Sequence, residues 1–258
     1  MKVFTLLNQK GGTGKTSSAV NIAAGLSLCG LKCLLVDIDP QGNLSESVGV
    51  KALGEKEITT YEVLAGEDIN KAIRPATEGR YDVLPADIRL SAAEIELVNA
   101  DRRNYRLKDA IDGLRANYDF VIIDSPPSLS ILTVMALTAS DEVIIPVQAQ
   151  YLPLSGVAQL RDTIELIKAR FNPKLEIGGI LLTFFNERRN LDREVLEVLD
   201  QAFKGKVFKT KISQSTKIAE APSYGKDIIS YSPNCKGAQQ YKQLAREILE
   251  HETTERKV

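Results

Sequence analysis

The stretch Lys10-Gly11-Gly12-Thr13-Gly14-Lys15-Thr16 decides the reading of this chain. Before it stands an apolar run, Val3 to Leu7, with the character of a buried strand. After it, Lys15 to Leu28 has the apolar spacing of a helix. A glycine-rich loop between strand and helix is the context a phosphate-binding loop requires. Glycines let the backbone approach an anion, so that successive N–H groups point inward. The helix start adds its positive dipole end. Lys15 is expected to reach β- and γ-phosphates and the Thr16 hydroxyl to bind Mg²⁺. Gly11, Gly12, Thr13, Gly14 and Ser17 complete the expected nucleotide-binding set. The ordinary pattern G-x-x-x-x-G-K-[ST] would place a glycine where Gln9 stands, and an additional lysine, Lys10, precedes the glycines instead.

Outward from the loop, short apolar runs alternate with longer amphipathic stretches, the βαβ rhythm. Strands are expected at Cys33 to Ile38, Tyr81 to Leu84, Phe120 to Ile123, Glu142 to Val147, Ile177 to Phe185 and, last, Val207 to Ile212. Helices are expected at Glu57 to Ala65, Ile69 to Ile73, Ser91 to Ala100, Tyr105 to Ala116, Leu129 to Leu137, Leu154 to Arg170, Leu191 to Phe203 and Ala238 to Leu249. Continuous Val/Ile/Leu strands flanked by helices imply an α/β fold with a mostly parallel twisted sheet covered on both faces. No Pro/Gly/Ser-rich linker and no repeat interrupts the chain. The expectation is a single domain over 1–251 with a frayed charged tail, Glu252 to Val258.

The 258 residues carry 33 Lys+Arg and 34 Asp+Glu, a net charge of −1. That balance excludes a uniformly basic nucleic-acid coat but not a local basic patch. Cys29, Cys33 and Cys235 have no CxxC spacing, which argues against a disulfide framework or a zinc site. The single histidine, His251, leaves no material for a His-based triad. The N-terminus has no signal core or membrane-span pattern, so a cytoplasmic protein starting at Met1 is expected.

Two aspartate motifs follow the loop. In Val36-Asp37-Ile38-Asp39-Pro40-Gln41-Gly42-Asn43, both carboxylates sit at a strand end, facing the crevice where ligands bind in such sheets. Asp37 either tunes the loop lysine or the metal surroundings, or caps a following helix. Phe120 to Asp124 is an apolar strand ending in a carboxylate, followed by Ser125-Pro126-Pro127. Asp124 is expected to hold Mg²⁺, and the prolines to stiffen a switch loop.

The lysine-bearing loop is the deviant Walker A signature and resembles the ParA/MinD group of P-loop ATPases. The order of the three motifs, Asn8-Gln9, and Asp39 to Asn43 resemble most closely the Soj-like partition ATPases. Glu220-Ala221-Pro222-Ser223-Tyr224-Gly225-Lys226 looks like that family's C-terminal motif, so the resemblance spans nearly the whole chain. It implies a three-layer P-loop NTPase fold that binds ATP and Mg²⁺. It further implies an ATP-sandwich homodimer, non-specific DNA binding on the nucleoid, and a ParB-like centromere-binding protein that stimulates hydrolysis. On this resemblance Lys10 reaches the partner subunit's phosphates, Asp39 positions and activates the attacking water, and Arg188 contacts DNA.

One departure stands out. The family usually reads Ile-Pro-Arg-Asn-Val-Arg where this chain has Ile212-Ser213-Gln214-Ser215-Thr216-Lys217, so Ser213 and Ser215 are assigned to the adenine by motif position alone. Lys217 keeps a positive charge there. From Lys204 to Lys217 there are five lysines and no acid. With Arg188 and Arg189, the lysines Lys209, Lys211 and Lys217 form the expected DNA-binding set. No N-terminal helix-turn-helix precedes the first strand, so an operator-specific repressor is not expected.

Five functions compete. The first is a partition ATPase for chromosome or plasmid DNA, or its variant that positions a protein cargo. A MinD-like membrane ATPase needs a basic amphipathic C-terminal helix, and the end here is acidic and polar. A nitrogenase-iron-protein-like reductase needs cluster-bridging cysteines. A biosynthetic ligase such as dethiobiotin synthetase lacks the full pattern from Lys10 to Asn43. A non-hydrolysing scaffold does not need Lys10, Lys15, Thr16, Asp39 and Asp124 together.

Overall fold

The computed structural model describes residues 1–50, 57–114, 116–149 and 154–255. The strands are β1 (Lys2–Leu6), β2 (Cys33–Asp37), β3 (Arg74–Pro75), β4 (Asp82–Leu84), β5 (Phe120–Asp124), β6 (Glu142–Gln148) and β7 (Glu176–Thr183). The first helices are α1 (Lys15–Leu28), α2 (Asn43–Ser47), α3 (Thr60–Ala65), α4 (Leu90–Glu96), α5 (Arg106–Asp112) and α6 (Ile131–Ala139). Then come α7 (Leu154–Arg170), α8 (Asn190–Ala202), α9 (Thr216–Glu220), α10 (Ile228–Tyr231) and α11 (Lys236–Glu255).

The strands form one sheet in the order β3-β4-β2-β5-β1-β6-β7, parallel except for the short β3–β4 pair. Side chains alternate across the sheet, because successive residues of a strand face opposite sides. Phe4, Leu35, Ile122 and Ile144 enter a core with α1 and α11, while Val121, Ile123 and Val36 enter a second core with α3 to α6. Val143, Ile145, Ile180 and Leu182 pack with α7 and α8. Helix, sheet and helix make the three layers expected from the sequence.

Local chemistry moved several boundaries. The helix expected from Glu57 starts at Thr60, because Thr59 and Glu62 close a capping box. Ser130 caps α6 through the N–H of Leu132, which sets that helix two residues later at both ends. Residues 97–99 tighten into a 3₁₀ turn after α4.

Two expectations fail outright. Val207 to Ile212 is not a strand; among the described residues only an isolated parallel bridge joins Val207 to Ile180. Its middle N–H groups, on Lys209 and Thr210, turn to the Glu247 carboxylate of α11 at 2.5 and 2.9 Å instead of to β7. Nor does the chain fray at Glu252. The helix continues through Glu255, and the Glu252 carboxylate lies 3.0 Å from Lys2 Nζ, which also contacts Glu142 at 2.6 Å. Residues 256–258 of the expected tail lie outside the described residues.

The helix α1 is buried along most of its length between the sheet and α11. Gly25 sets that spacing: a Cβ there would stand 2.8 Å from the Ala245 Cβ and 3.0 Å from the Tyr241 carbonyl oxygen. Alanine in a helix interior gains about 1 kcal/mol over glycine, whereas overpacking a filled core costs about 1–3 kcal/mol. Gly25→Ala is therefore expected to destabilise on balance, with a Tm lowered by about 2–6 °C in a thermal melt. A raised Tm contradicts this packing.

Candidate nucleotide site

The loop between β1 and α1 keeps its shape through short bonds. Asn8 accepts the Lys10 N–H at 2.9 Å and donates its amide to the Pro146 carbonyl at 2.7 Å, which ties the loop to β6. Thr183, at the end of β7, donates to the Thr13 carbonyl at 2.8 Å. Gly14 precedes α1 with φ +85°, a left-handed backbone that a side chain would strain. Nothing lies within 4 Å of a Cβ placed on Gly11 or Gly12, so the loop encloses an open cradle. Lys10, Gly11 and Gly12 face solvent, Thr13 and Lys15 are buried, and Ser17 is half-buried on the first turn of α1.

Beneath the cradle two carboxylates meet. Asp37 and Asp124 end neighbouring strands in direct register, and both are buried. Asp37 accepts the Ser45 N–H and hydroxyl at 2.9 and 2.6 Å and the Asp39 N–H at 3.1 Å. It thus caps α2 and shapes the turn that carries Asp39, and it also faces Asp124. Burial, partly offset by these bonds, pushes the Asp37 carboxyl up to about 6.

Asp124 Oδ2 accepts the Thr16 hydroxyl at 2.6 Å, whereas its Oδ1 is buried with no hydrogen-bond partner. Burial first, and then the charge of Asp37, push the Asp124 carboxyl up to about 8. Burial pulls the Lys15 ammonium down, against the charges of Asp124 and Asp39. A hard cation suits this set: one hydroxyl, one carboxylate with an unused oxygen, and open space above. Asp39 is half-buried at the rim and accepts the Gln41 N–H at 3.0 Å.

Beside the loop lies a cavity of about 670 Å³. Phe184, Ser213, Gln214 and Gln240 line it, and so do the cations Arg188, Arg189, Lys209, Lys211 and Lys236. Phe184 has a left-handed φ of 54°, and its ring reaches to within 3.9 Å of a Cβ built on Gly14. Four of the five expected DNA-binding residues therefore converge on one wall. The fifth, Lys217, lies elsewhere, with its Nζ 2.8 Å from Glu220 on its own helix. Ser215 stands at the start of α9 and does not line the cavity. Lys236, Gln214, Gln240 and Phe184 were not singled out from the sequence; only the polar start of α11 hints at Lys236 and Gln240. Among the described residues no helix is long and apolar enough to cross a membrane.

A family model described as an AAA domain matches residues 1–177. The chain is 45% identical to the sporulation initiation inhibitor protein Soj of Bacillus subtilis, over 96% of this chain and 98% of that protein. It is 43% identical to the chromosome partitioning protein ParA of Caulobacter vibrioides, over 98% and 95%. Among solved structures it resembles cobyrinic acid a,c-diamide synthase from Mycobacterium smegmatis, with bound ATP analogue and magnesium. That match has a TM-score of 0.86 and 34% identity, covering 98% of this chain and 96% of that one. Near-complete coverage at these identities, on a fold whose glycine cradle sits over a paired Thr16 and Asp124, decides the matter: the chain belongs to the Soj/ParA family of P-loop ATPases.

Proposed function

We propose that this chain is a Mg²⁺-dependent partition ATPase that closes into a homodimer around ATP and then holds DNA non-specifically. A ParB-like centromere-binding protein stimulates its turnover, and it works in the cytoplasm on the nucleoid. The observation that carries the reading is the unused Asp124 oxygen beside the Thr16 hydroxyl, under an open glycine cradle. Thr16 and Asp124 would hold the metal, which would supply positive charge to the phosphates of the nucleotide. Backbone N–H groups of Gly11 to Ser17 and the Lys15 ammonium bind the phosphates. Asp39, at the rim, orients the attacking water. Lys10, exposed at the mouth of the loop, reaches the nucleotide of the second subunit, so that charge stabilisation is complete only in the dimer.

In the cavity, the wall formed by Phe184 and Ser213 takes the base, next to the loop. The cationic rim of Arg188, Arg189, Lys209 and Lys211 meets DNA phosphates. The partition reading is favoured over a small-substrate ligase because the partition relatives match at 43–45% identity over nearly their whole lengths.

Asp39→Ala is expected to lower steady-state ATP turnover by about 100-fold or more, while ATP still drives the shift from monomer to dimer in size-exclusion chromatography. Unchanged turnover overturns the role given to Asp39.

Joint replacement of Arg188 and Arg189 by Ala should flatten the plot of log DNA affinity against log salt by about two phosphate contacts, with a slope change near 1.8. ATP binding should persist in that variant. An unchanged slope removes these arginines from the DNA surface.

The buried acid gives a pH signature. The folded-state value of Asp124 is raised above its ordinary carboxylate range, so the folded chain holds more protons than the unfolded one between about pH 4 and pH 8. In the ligand-free protein its contribution to stability is therefore lost as pH rises through that window. Asp124→Asn should raise the ligand-free Tm at pH 8 by several degrees, at about 2–4 °C per kcal/mol for a chain of this size. The gain should shrink toward pH 4. With Mg²⁺ and ATP the order should reverse, because the variant loses the metal ligand.

A further inference from the structure

The segment from Lys206 to Ser213 is bonded to β7 only in part. Ile180 donates to the Lys206 carbonyl at 2.8 Å, Phe208 to the Ile180 carbonyl at 3.0 Å, and Ile212 to the Leu182 carbonyl at 2.9 Å. In between, both oxygens of the buried Glu247 side chain accept backbone N–H groups, from Lys209 at 2.5 Å and Thr210 at 2.9 Å. Seven residues earlier on α11, and so on the same helix face, Gln240 makes a second pair of bonds. Its Oε1 accepts the Ser213 N–H at 3.1 Å, and its Nε2 donates to the Ser213 hydroxyl at 2.9 Å. Lys209 and Ser213 are themselves fastened, Lys211 stands between the two fastenings, and all three line the cavity.

We propose that Glu247 and Gln240 are positioning residues, which give the base wall and the DNA-facing lysines of the cavity one fixed geometry. The inference rests on the function proposed above. Burial of α11 does not depend on these two side chains, since Tyr241, Leu244, Ala245 and Ile248 seat the helix in the core. Loss of either polar group therefore leaves the helix docked and frees the segment. The Glu247 bonds are charge-assisted, the stronger kind. In Glu247→Gln an amide NH₂ would face a backbone N–H, donor against donor, and one fastening opens. Gln240 grips Ser213 at both its N–H and its hydroxyl.

The test uses the full chain in three variants: Glu247→Gln, Gln240→Leu, and Lys209→Ala with Lys211→Ala. Amide hydrogen exchange at Lys209, Thr210 and Ser213, binding of a fluorescent ATP analogue with Mg²⁺, and DNA affinity across a salt series are measured. Gln240→Leu should weaken the nucleotide by about 3–10-fold, as loss of one or two hydrogen bonds implies. In Gln240→Leu exchange should quicken at Ser213 while the amides of β1 and β5 stay protected, a local response that general destabilisation does not give. Glu247→Gln should weaken DNA binding by about 5–10-fold at one salt concentration while leaving the salt slope unchanged, because the lysines remain. The double-lysine variant should instead flatten the slope by about 1.8.

Faster exchange at the three amides with unaltered nucleotide and DNA affinities, while the double-lysine variant still flattens the slope, overturns the positioning role and leaves the proposed function standing. If the double-lysine variant also binds DNA with an unaltered slope, the DNA reading fails and takes the inference about Glu247 with it.

Discussion

Two buried carboxylates in register on adjacent strands govern the architecture. Asp37 and Asp124 end β2 and β5 side by side, both buried beneath the glycine loop. Charges so placed are expensive unless each is paired or hydrogen-bonded. The chain resolves the two differently. Asp37 draws in three donors from the turn after β2, which folds 38–45 back as the start of α2 and leaves Asp39 at the rim. Asp124 receives only the Thr16 hydroxyl and keeps one oxygen unbonded. That inequality makes one acid structural and leaves the other with unused capacity for a cation. The parallel sheet supplies the rest: β1, which leads into the loop, lies directly against β5, so loop and acid are adjacent without any long-range search.

The second constraint is α11. It packs against α1 in the same core, where Gly25 admits the close approach. The Tyr241 and Ser18 hydroxyls lie 3.2 Å apart, joining it to the helix that begins at the loop. Near its C-terminal end Glu252 joins Glu142 around Lys2, so the end of the chain is fastened to its first strand. Burial lowers the Lys2 ammonium and the two carboxylates raise it, and the carboxylates prevail. One helix thus seals the core, holds the start of β1 and fastens the lysine segment.

The sequence was readable where function and local pattern coincide. Lys10 to Ser17 reads as a phosphate loop because glycines, lysine and flanking strand and helix are contiguous, and Asp124 reads as a strand-end acid because four apolar residues precede it. What could not be read depends on partners far along the chain. Val207, Phe208 and Ile212 have the apolar character of a strand, yet Glu247, 38 residues beyond Lys209, takes the N–H groups that a strand would have given to β7. The tail from Glu252 looks polar enough to fray, but its first acid meets a lysine 250 positions away. Periodicity carries no information about such pairs.

Charge shows the same limit from the other side. The run from Lys204 to Lys217 is acid-free in sequence and looks uniformly cationic. In the fold Lys217 is matched by Glu220 and Glu247 is drawn under the backbone of Lys209 and Thr210, while Lys236 arrives from α11. The cationic wall is therefore assembled from the turn before α8, the irregular segment after it and the first turn of α11. Because Coulomb attraction to a phosphate chain falls off within about 8–10 Å at ordinary salt, such a wall counts only while its members stay together. A net charge of −1 gives no background attraction to fall back on. On the proposed function, a chain so balanced depends on geometry for any hold on DNA, and the segment carrying Lys209 and Lys211 is bonded to one acidic and one neutral side chain, Glu247 and Gln240.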